Sequence, residues 1–154
     1  MGFKFGERSL RKLNGVHPDL FQVTKTALAL SDVDFGITEG VRSLEKQKIL
    51  YNTGKSQTMK SRHLTGHAVD VIAYINGYTY EPFNLYTKIA EAFREAAFEH
   101  DVDILWGAAW LKPLNYYDSA EAANLDYVKT RWDQNRKPFI DGPHFQLTWS
   151  QYPA

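Results

Sequence analysis

The chain has 154 residues, 44% of them hydrophobic and 23% charged, with 18 basic side chains set against 18 acidic ones. That length suffices for one compact domain with a real core, and the balanced charge lacks the basic footprint of a nucleic-acid binder. Cysteine is absent, which excludes disulfide scaffolds, thiol nucleophiles and Cys-ligated zinc and fits folding in a reducing cytoplasm.

The first predicted helix follows Pro18, where Leu20, Val23, Ala27 and Leu30 recur at helical spacing. Residues 34–41 read as a short strand with Phe35, Ile37 and Glu39 on one face, and 44–51 as a second helix. The polar, Gly54-containing stretch 53–60 is an exposed loop. Residues 66–73 form a central strand on which Ala68, Asp70 and Ile72 share a face, and Asn76-Gly77 marks a hairpin turn. The longest helix spans 85–100, with Leu85, Ile89, Phe93 and Ala96 buried and Glu91, Glu95 and Glu99 wet. A strand follows at 102–106, and 143–149 is the last one. Between them, 119–132 reads either as a helix capped by Ser119 or as part of a long excursion. Helices early and mid-chain with short, scattered strands predict an α+β fold with a small antiparallel sheet.

Chemistry concentrates in two places. In Ser61-Arg62-His63-Leu64-Thr65-Gly66-His67-Ala68-Val69-Asp70, a turn at Thr65-Gly66 would return His63 to the side of a strand-borne Asp70. Catalytic zinc takes three N or O ligands and keeps one position for water, and a buried Asp70 among Val69, Val71 and Ile72 needs a compensating charge. A buried His–Asp hydrogen bond meets the same need, and on spacing alone it is the commoner answer. In Asp141-Gly142-Pro143-His144, Gly and Pro before a strand fix where His144 points. Asp141 is either an ordinary turn residue or a base within reach of the attacking water.

Together, Ser-x-His-x-x-Gly-x-Ala-x-Asp and the downstream Asp-x-Pro-His-Phe resemble the LAS-type zinc peptidases, which include D-alanyl-D-alanine carboxypeptidases and dipeptidases and the phage L-alanyl-D-glutamate endolysins. Phe3-Lys4-Phe5-Gly6, Val16-His17-Pro18-Asp19-Leu20, Glu39-Gly40-Val41-Arg42-Ser43, Gly54-Lys55-Ser56-Gln57-Thr58 and Trp106-Gly107 extend the likeness to the endolysin branch over nearly the whole chain. The resemblance implies a LAS/hedgehog-like scaffold and one zinc ion held by His63, Asp70 and His144. It further implies Asp141 as general base and then acid, Arg42 as the group that steadies the oxyanion, and Ser61 as a residue that contacts substrate or braces the ligand turn. A pairing of Arg42 with Glu39 or Glu45 is the competing structural role.

The implied substrate is the peptide stem of peptidoglycan, cut between L-alanine and D-glutamate during host lysis. A D,D-carboxypeptidase that removes terminal D-alanine is the nearest rival, and a non-catalytic zinc-containing module is a more distant one. Residues 1–154 are expected to form a single catalytic domain, monomeric, with no separate wall-binding domain. The opening residues lack the apolar core of a signal peptide, and no apolar run approaches the roughly 20 residues of a membrane span. The expected course is therefore accumulation in the host cytoplasm, release by a holin-type membrane protein and action on the wall in the periplasm.

Two features depart from the family pattern. Relatives commonly read Trp-Gly-Gly-Asp-Trp where this chain has Trp106-Gly107-Ala108-Ala109-Trp110, so any second-metal or outer-sphere role of that carboxylate is lost; calcium regulation is left open. The stretch between Trp110 and Asp141 is also long, and its Tyr116, Tyr117, Tyr127 and Trp132 either line a groove or pack the segment onto the body, packing being the expectation. His67, alternating with Ala68, is expected to face away from Asp70, while His17 before a helix and His100 at the end of one are not ligands.

Overall fold

The computed structural model describes residues 2–153. Five helices, α1 (Glu7–Lys12), α2 (Pro18–Leu30), α3 (Leu44–Asn52), α4 (Asn84–His100) and α5 (Ala120–Asp133), accompany five strands. The strands are β1 (Asp34–Glu39), β2 (Ala68–Tyr74), β3 (Tyr78–Thr79), β4 (Ile104–Trp106) and β5 (His144–Leu147). The sheet runs β1-β2-β5-β4, β3 returns on β2 through the Asn76-Gly77 turn, and every pairing is antiparallel. The α+β architecture with a small antiparallel sheet is the expected one.

Strand alternation divides the labour of the sheet. Val69, Val71 and Ala73 of β2 and Phe145 and Leu147 of β5 are fully buried in one hydrophobic core with the inner residues of α2 and α4. Phe93 of α4 stacks on Phe145 with ring centroids 3.9 Å apart, and Trp106 continues the aromatic row. The opposite face carries Asp70, His144 and Gln146, with Asp70 opposite His144 and Ala68 opposite Gln146 in register. The core is thus built from one half of each strand and the polar site from the other half.

The differences from the sequence reading have local causes. Helix α1 is new: it is too short for periodicity to reveal, and it is held against β1 by the Ser9 hydroxyl, which accepts from the Ile37 N–H at 3.1 Å. Glu39 does not share the face of Phe35 and Ile37, because a bulge between Ile37 and Glu39 turns it to the side of Asp70. Leu30 ends α2 exposed. Glu91 is half-buried rather than wet: it pairs with Arg94, and its Oε1 accepts from the Ala120 N–H at 2.9 Å, tying α5 to α4. Residues 120–133 do form the helix, with Ser119 Oγ accepting from the Ala122 N–H at 3.0 Å. Tyr117 and Tyr127 pack the segment onto the body, the carbonyl of the former accepting from Arg94 of α4 at 3.2 Å, whereas Tyr116 and Trp132 are exposed. Ala108 and Ala109 are buried in the core. No helix among the described residues is long and apolar enough to cross a membrane.

One buried cation joins the two halves of the polar face. Arg62 opens the 3₁₀ turn Arg62–Thr65 and is almost fully buried. Its Nη2 donates to the carbonyls of Thr148 and Tyr152 at 3.1 and 2.6 Å, and its guanidinium lies 3.9 Å from the centre of the Trp149 ring. The turn that carries His63 is thereby fastened to the segment following β5. Replacing Arg62→Met should cost about 1–3 kcal/mol, because buried carbonyls lose their donors; urea unfolding of the variant beside the parent protein measures the loss.

Candidate active site

His63, Asp70 and His144 come from the 3₁₀ turn, β2 and β5, and offer one ligand atom each, all within 4.8 Å of one another. The Nε2 of His63 lies 3.2 Å and the Nδ1 of His144 3.1 Å from the same oxygen, Oδ1 of Asp70. Both imidazoles are buried.

The outer nitrogen of each ring is already engaged. His63 Nδ1 faces the Gly40 carbonyl at 2.8 Å, and His144 Nε2 faces the Gln146 side-chain carbonyl at 2.8 Å. A carbonyl oxygen can only accept, so both outer nitrogens carry the proton and donate it. In the neutral rings, the inner nitrogens therefore present lone pairs to a carboxylate oxygen. Three electron-rich atoms converge, an arrangement that requires a cation or a shared proton between them. When protons rather than a metal supply that positive charge, burial opposes the charge of Asp70, but the protonated His144 and His63 imidazoles outweigh it and hold the carboxyl far below the usual carboxylate range. Burial likewise works against a charged His144, and Asp70 reverses the balance, raising His144 above the ordinary imidazole value.

A divalent metal fits this donor set. His63 Nε2 is buried and makes no hydrogen bond despite its closeness to Asp70, so it is an orphaned atom aimed at the centre. Ligands about 2.0–2.1 Å from one tetrahedral ion stand about 3.3 Å apart, near the 3.1 and 3.2 Å separations here. Two imidazoles and one carboxylate leave a fourth position of such a site open, and an outer-sphere acceptor on each histidine is the usual companion of metal ligation.

The neighbouring groups are placed just as tightly. Arg42 pairs with Glu39 through Nε and Nη2, donates from Nη1 to Gln47 Oε1 at 2.7 Å, and brings Nη2 to 3.8 Å from Asp70 Oδ2. The pairing with Glu39 and a place beside the site are thus both true of Arg42. One N–H on each terminal nitrogen is left for another acceptor. Burial raises the Glu39 carboxyl, but the hydrogen bonds of Arg42 and Lys46 win and hold it below its ordinary value. Buried Gln47 also donates to Ser56 Oγ at 2.9 Å, which ties α3 to the following loop. Ser61 Oγ accepts from the His63 N–H at 3.2 Å, so this side chain braces the ligand turn.

Asp141 is set by the main chain. Its N–H donates to the Gly107 carbonyl at 2.7 Å, its carbonyl accepts from the His144 N–H at 3.1 Å, and the Gly107 N–H donates to the His144 carbonyl at 2.7 Å. A Cβ on Gly107 would collide with the Asp141 carbonyl, so only glycine permits this approach. Burial and the nearby Asp70 charge push the Asp141 carboxyl up, partly offset by His144, His63 and Arg42. A buried carboxyl with a raised proton affinity, within the electrostatic reach of Asp70, His144 and His63, suits a group that takes and returns a proton.

The remaining histidines lie elsewhere. His67 bonds the Thr65 hydroxyl at 2.7 Å and lies tilted against the ring of His17, whose Nδ1 accepts from the Asp19 N–H at the start of α2. His100 bonds Thr26 at 2.7 Å. Three contributors escaped the sequence reading: the Gly40 carbonyl, Gln47 and Gln146. Only Gln146 left a trace there, since it stands two residues from His144 and so shares its strand face.

The model of the phage L-alanyl-D-glutamate peptidase family matches residues 1–148. The chain belongs to that family. It is 33% identical over 130 residues to the L-alanyl-D-glutamate peptidase of Escherichia phage T5, an alignment covering 82% of this chain and 95% of that protein. Among solved structures it resembles the Serratia marcescens L-Ala D-Glu endopeptidase ChiX, with a TM-score of 0.76 and 40% identity over 99% of this chain and 96% of that one. The family model and the ChiX alignment both reach from α1 to β5, and so include both polar motifs.

Gln146 provides a direct test of the tautomer argument. Replacing Gln146→Leu removes the acceptor that keeps the His144 proton on Nε2, and zinc affinity should fall about 10–100-fold with the fold intact. Calorimetric titration of the metal-stripped protein with zinc measures it, and circular dichroism monitors the fold.

Proposed function

We propose that the protein is a zinc-dependent peptidoglycan endopeptidase that hydrolyses the L-alanyl-D-glutamate bond of the peptide stem in host-cell lysis. The observation that carries this reading is the convergence of two tautomer-fixed histidines on Asp70 in a chain of this family. His63, Asp70 and His144 would hold one zinc ion, which when bound supplies Lewis-acid polarisation of a carbonyl and a lowered pKa for water.

The protein's own groups account for the rest. Asp141 accepts the proton of the attacking water and delivers it to the departing glutamyl amine, so that the amine leaves neutral. The free N–H groups of Arg42 donate to the carbonyl oxygen as it gains negative charge. Glu39 and Gln47 hold the guanidinium in place during that change, which removes reorganisation from the reacting state. Ser61 keeps the His63 turn closed from outside the reaction. Residues 1–154 act in this reading as one catalytic domain. It accumulates in the host cytoplasm and reaches the periplasmic face of the wall when a holin-type protein opens the membrane.

Digestion of a defined muropeptide followed by mass analysis tests the reaction. The expected products are a lactyl-L-alanine-bearing fragment and a peptide with a new amino-terminal D-glutamate. Release of D-alanine alone would instead establish a D,D-carboxypeptidase. Chelation should abolish turnover and added zinc restore it. Asp141→Ala should lower kcat by at least about 100-fold with zinc affinity preserved, as read by calorimetry; a non-catalytic module would show no turnover to lose.

A further inference from the structure

Next to the metal centre, a cleft of about 280 Å³ opens between the end of α1, the β1–α3 connection and the first turn of α3. Four of its lining residues are cationic, Arg11, Lys12, Arg42 and Lys46, and Glu39 is its one acid. In a chain whose formal charges cancel, this is a local surplus of positive charge. Glu39 is already engaged by Arg42 and Lys46. Arg11 and Lys12 are exposed and enter no ion pair among the described residues.

The cleft and the catalytic centre share parts. Gly40 lines the cleft and lends its carbonyl to His63. Arg42 lines it and approaches Asp70 to 3.8 Å. A Cβ on Gly40 would strike the Lys12 carbonyl, so the last turn of α1 is pressed directly onto the segment that supports the ligand. A substrate whose carbonyl lies at Arg42 therefore has its neighbouring groups within reach of Arg11 and Lys12.

The chemistry of the bond says which group that is. A glutamyl residue has two carboxyl groups, and the stem can continue through only one of them. The other remains a free anion a few bonds from the amine that is released. We propose that the Arg11–Lys12 cleft is the subsite for this glutamyl carboxylate, which makes the two cations specificity-determining residues for the leaving side of the scissile bond. The inference rests on the reading of the reaction given above. Long side chains at the rim of a cleft suit such a ligand, since they follow a carboxylate that arrives on a flexible stem while Arg42 stays fixed.

Synthetic stem peptides provide the test: one with the free glutamyl carboxylate, one with that group as a carboxamide, and one amidated only at the next acidic residue. The zinc-loaded parent protein should prefer the first over the second by about tenfold in kcat/KM, a charge-assisted contact tempered by solvent, and should treat the third like the first. In the Arg11→Gln/Lys12→Gln protein the preference should fall to near unity through loss of the carboxylate substrate alone. Binding of the free-carboxylate peptide to Asp141→Ala protein, measured by calorimetry, should weaken to the same extent when the two glutamines are added. A parent ratio near unity, an equal loss on all three peptides, or a preference that follows the third peptide would each overturn the assignment. Failure to cut any peptide between alanine and glutamate would overturn the reaction itself, a separate result.

Discussion

The structure depends on a single electrostatic problem: two imidazole nitrogens and a carboxylate oxygen held almost in contact, which only a cation or a shared proton can reconcile. Each imidazole is committed from behind, one by a main-chain carbonyl and one by an amide side chain, so neither can relieve the crowding by turning its N–H inward. Such a cluster is costly unless something positive occupies its centre. The surrounding elements keep the cluster from relaxing. The β2–β5 pairing sets Asp70 against His144, the capped 3₁₀ turn holds His63, and Arg62 fastens that turn to the chain end.

The sheet can serve this purpose because its two faces are independent. The core face is filled by Phe93, Phe145, Trp106 and the aliphatic residues of β2, which gives the strands rigidity without any help from the polar side. The bulge in β1 then brings Glu39, an acid, onto the polar face where it can orient Arg42. Without that extra residue, strand alternation would aim Glu39 into the core beside Ile37, where an unpaired carboxylate is expensive. A backbone irregularity is what allows one strand to contribute to both faces.

The sequence announced the strongly periodic parts of this design. Helix α4, the Asn76-Gly77 hairpin and β2 were legible because burial or turn chemistry leaves a local imprint, whereas Ser119 suggested a cap for α5 without deciding between a helix and a long excursion. The grouping of His63, Asp70 and His144 was legible through two motifs whose spacing alone could not distinguish a metal site from a hydrogen bond. Hidden from view were α1, too brief for a period, and the reversal of Glu39, since a bulge has no compulsory residue. The outer partners of the histidines were hidden for a different reason. Gly40 contributes only its backbone, which no sequence pattern encodes, and Gln47 becomes informative only once folding brings it to Arg42.

The main-chain clamp joining Gly107 to Asp141 and His144 has an architectural consequence. It ties Asp141 and His144 to β4 at the root of the intervening segment, so the stretch beyond it can be remodelled without shifting either residue. Closure entropy grows slowly with loop length, about 0.6 kcal/mol per doubling. The exposed run that follows α5 is accordingly a natural graft point, where foreign loops could be spliced in to retarget the enzyme while its chemistry is inherited unchanged.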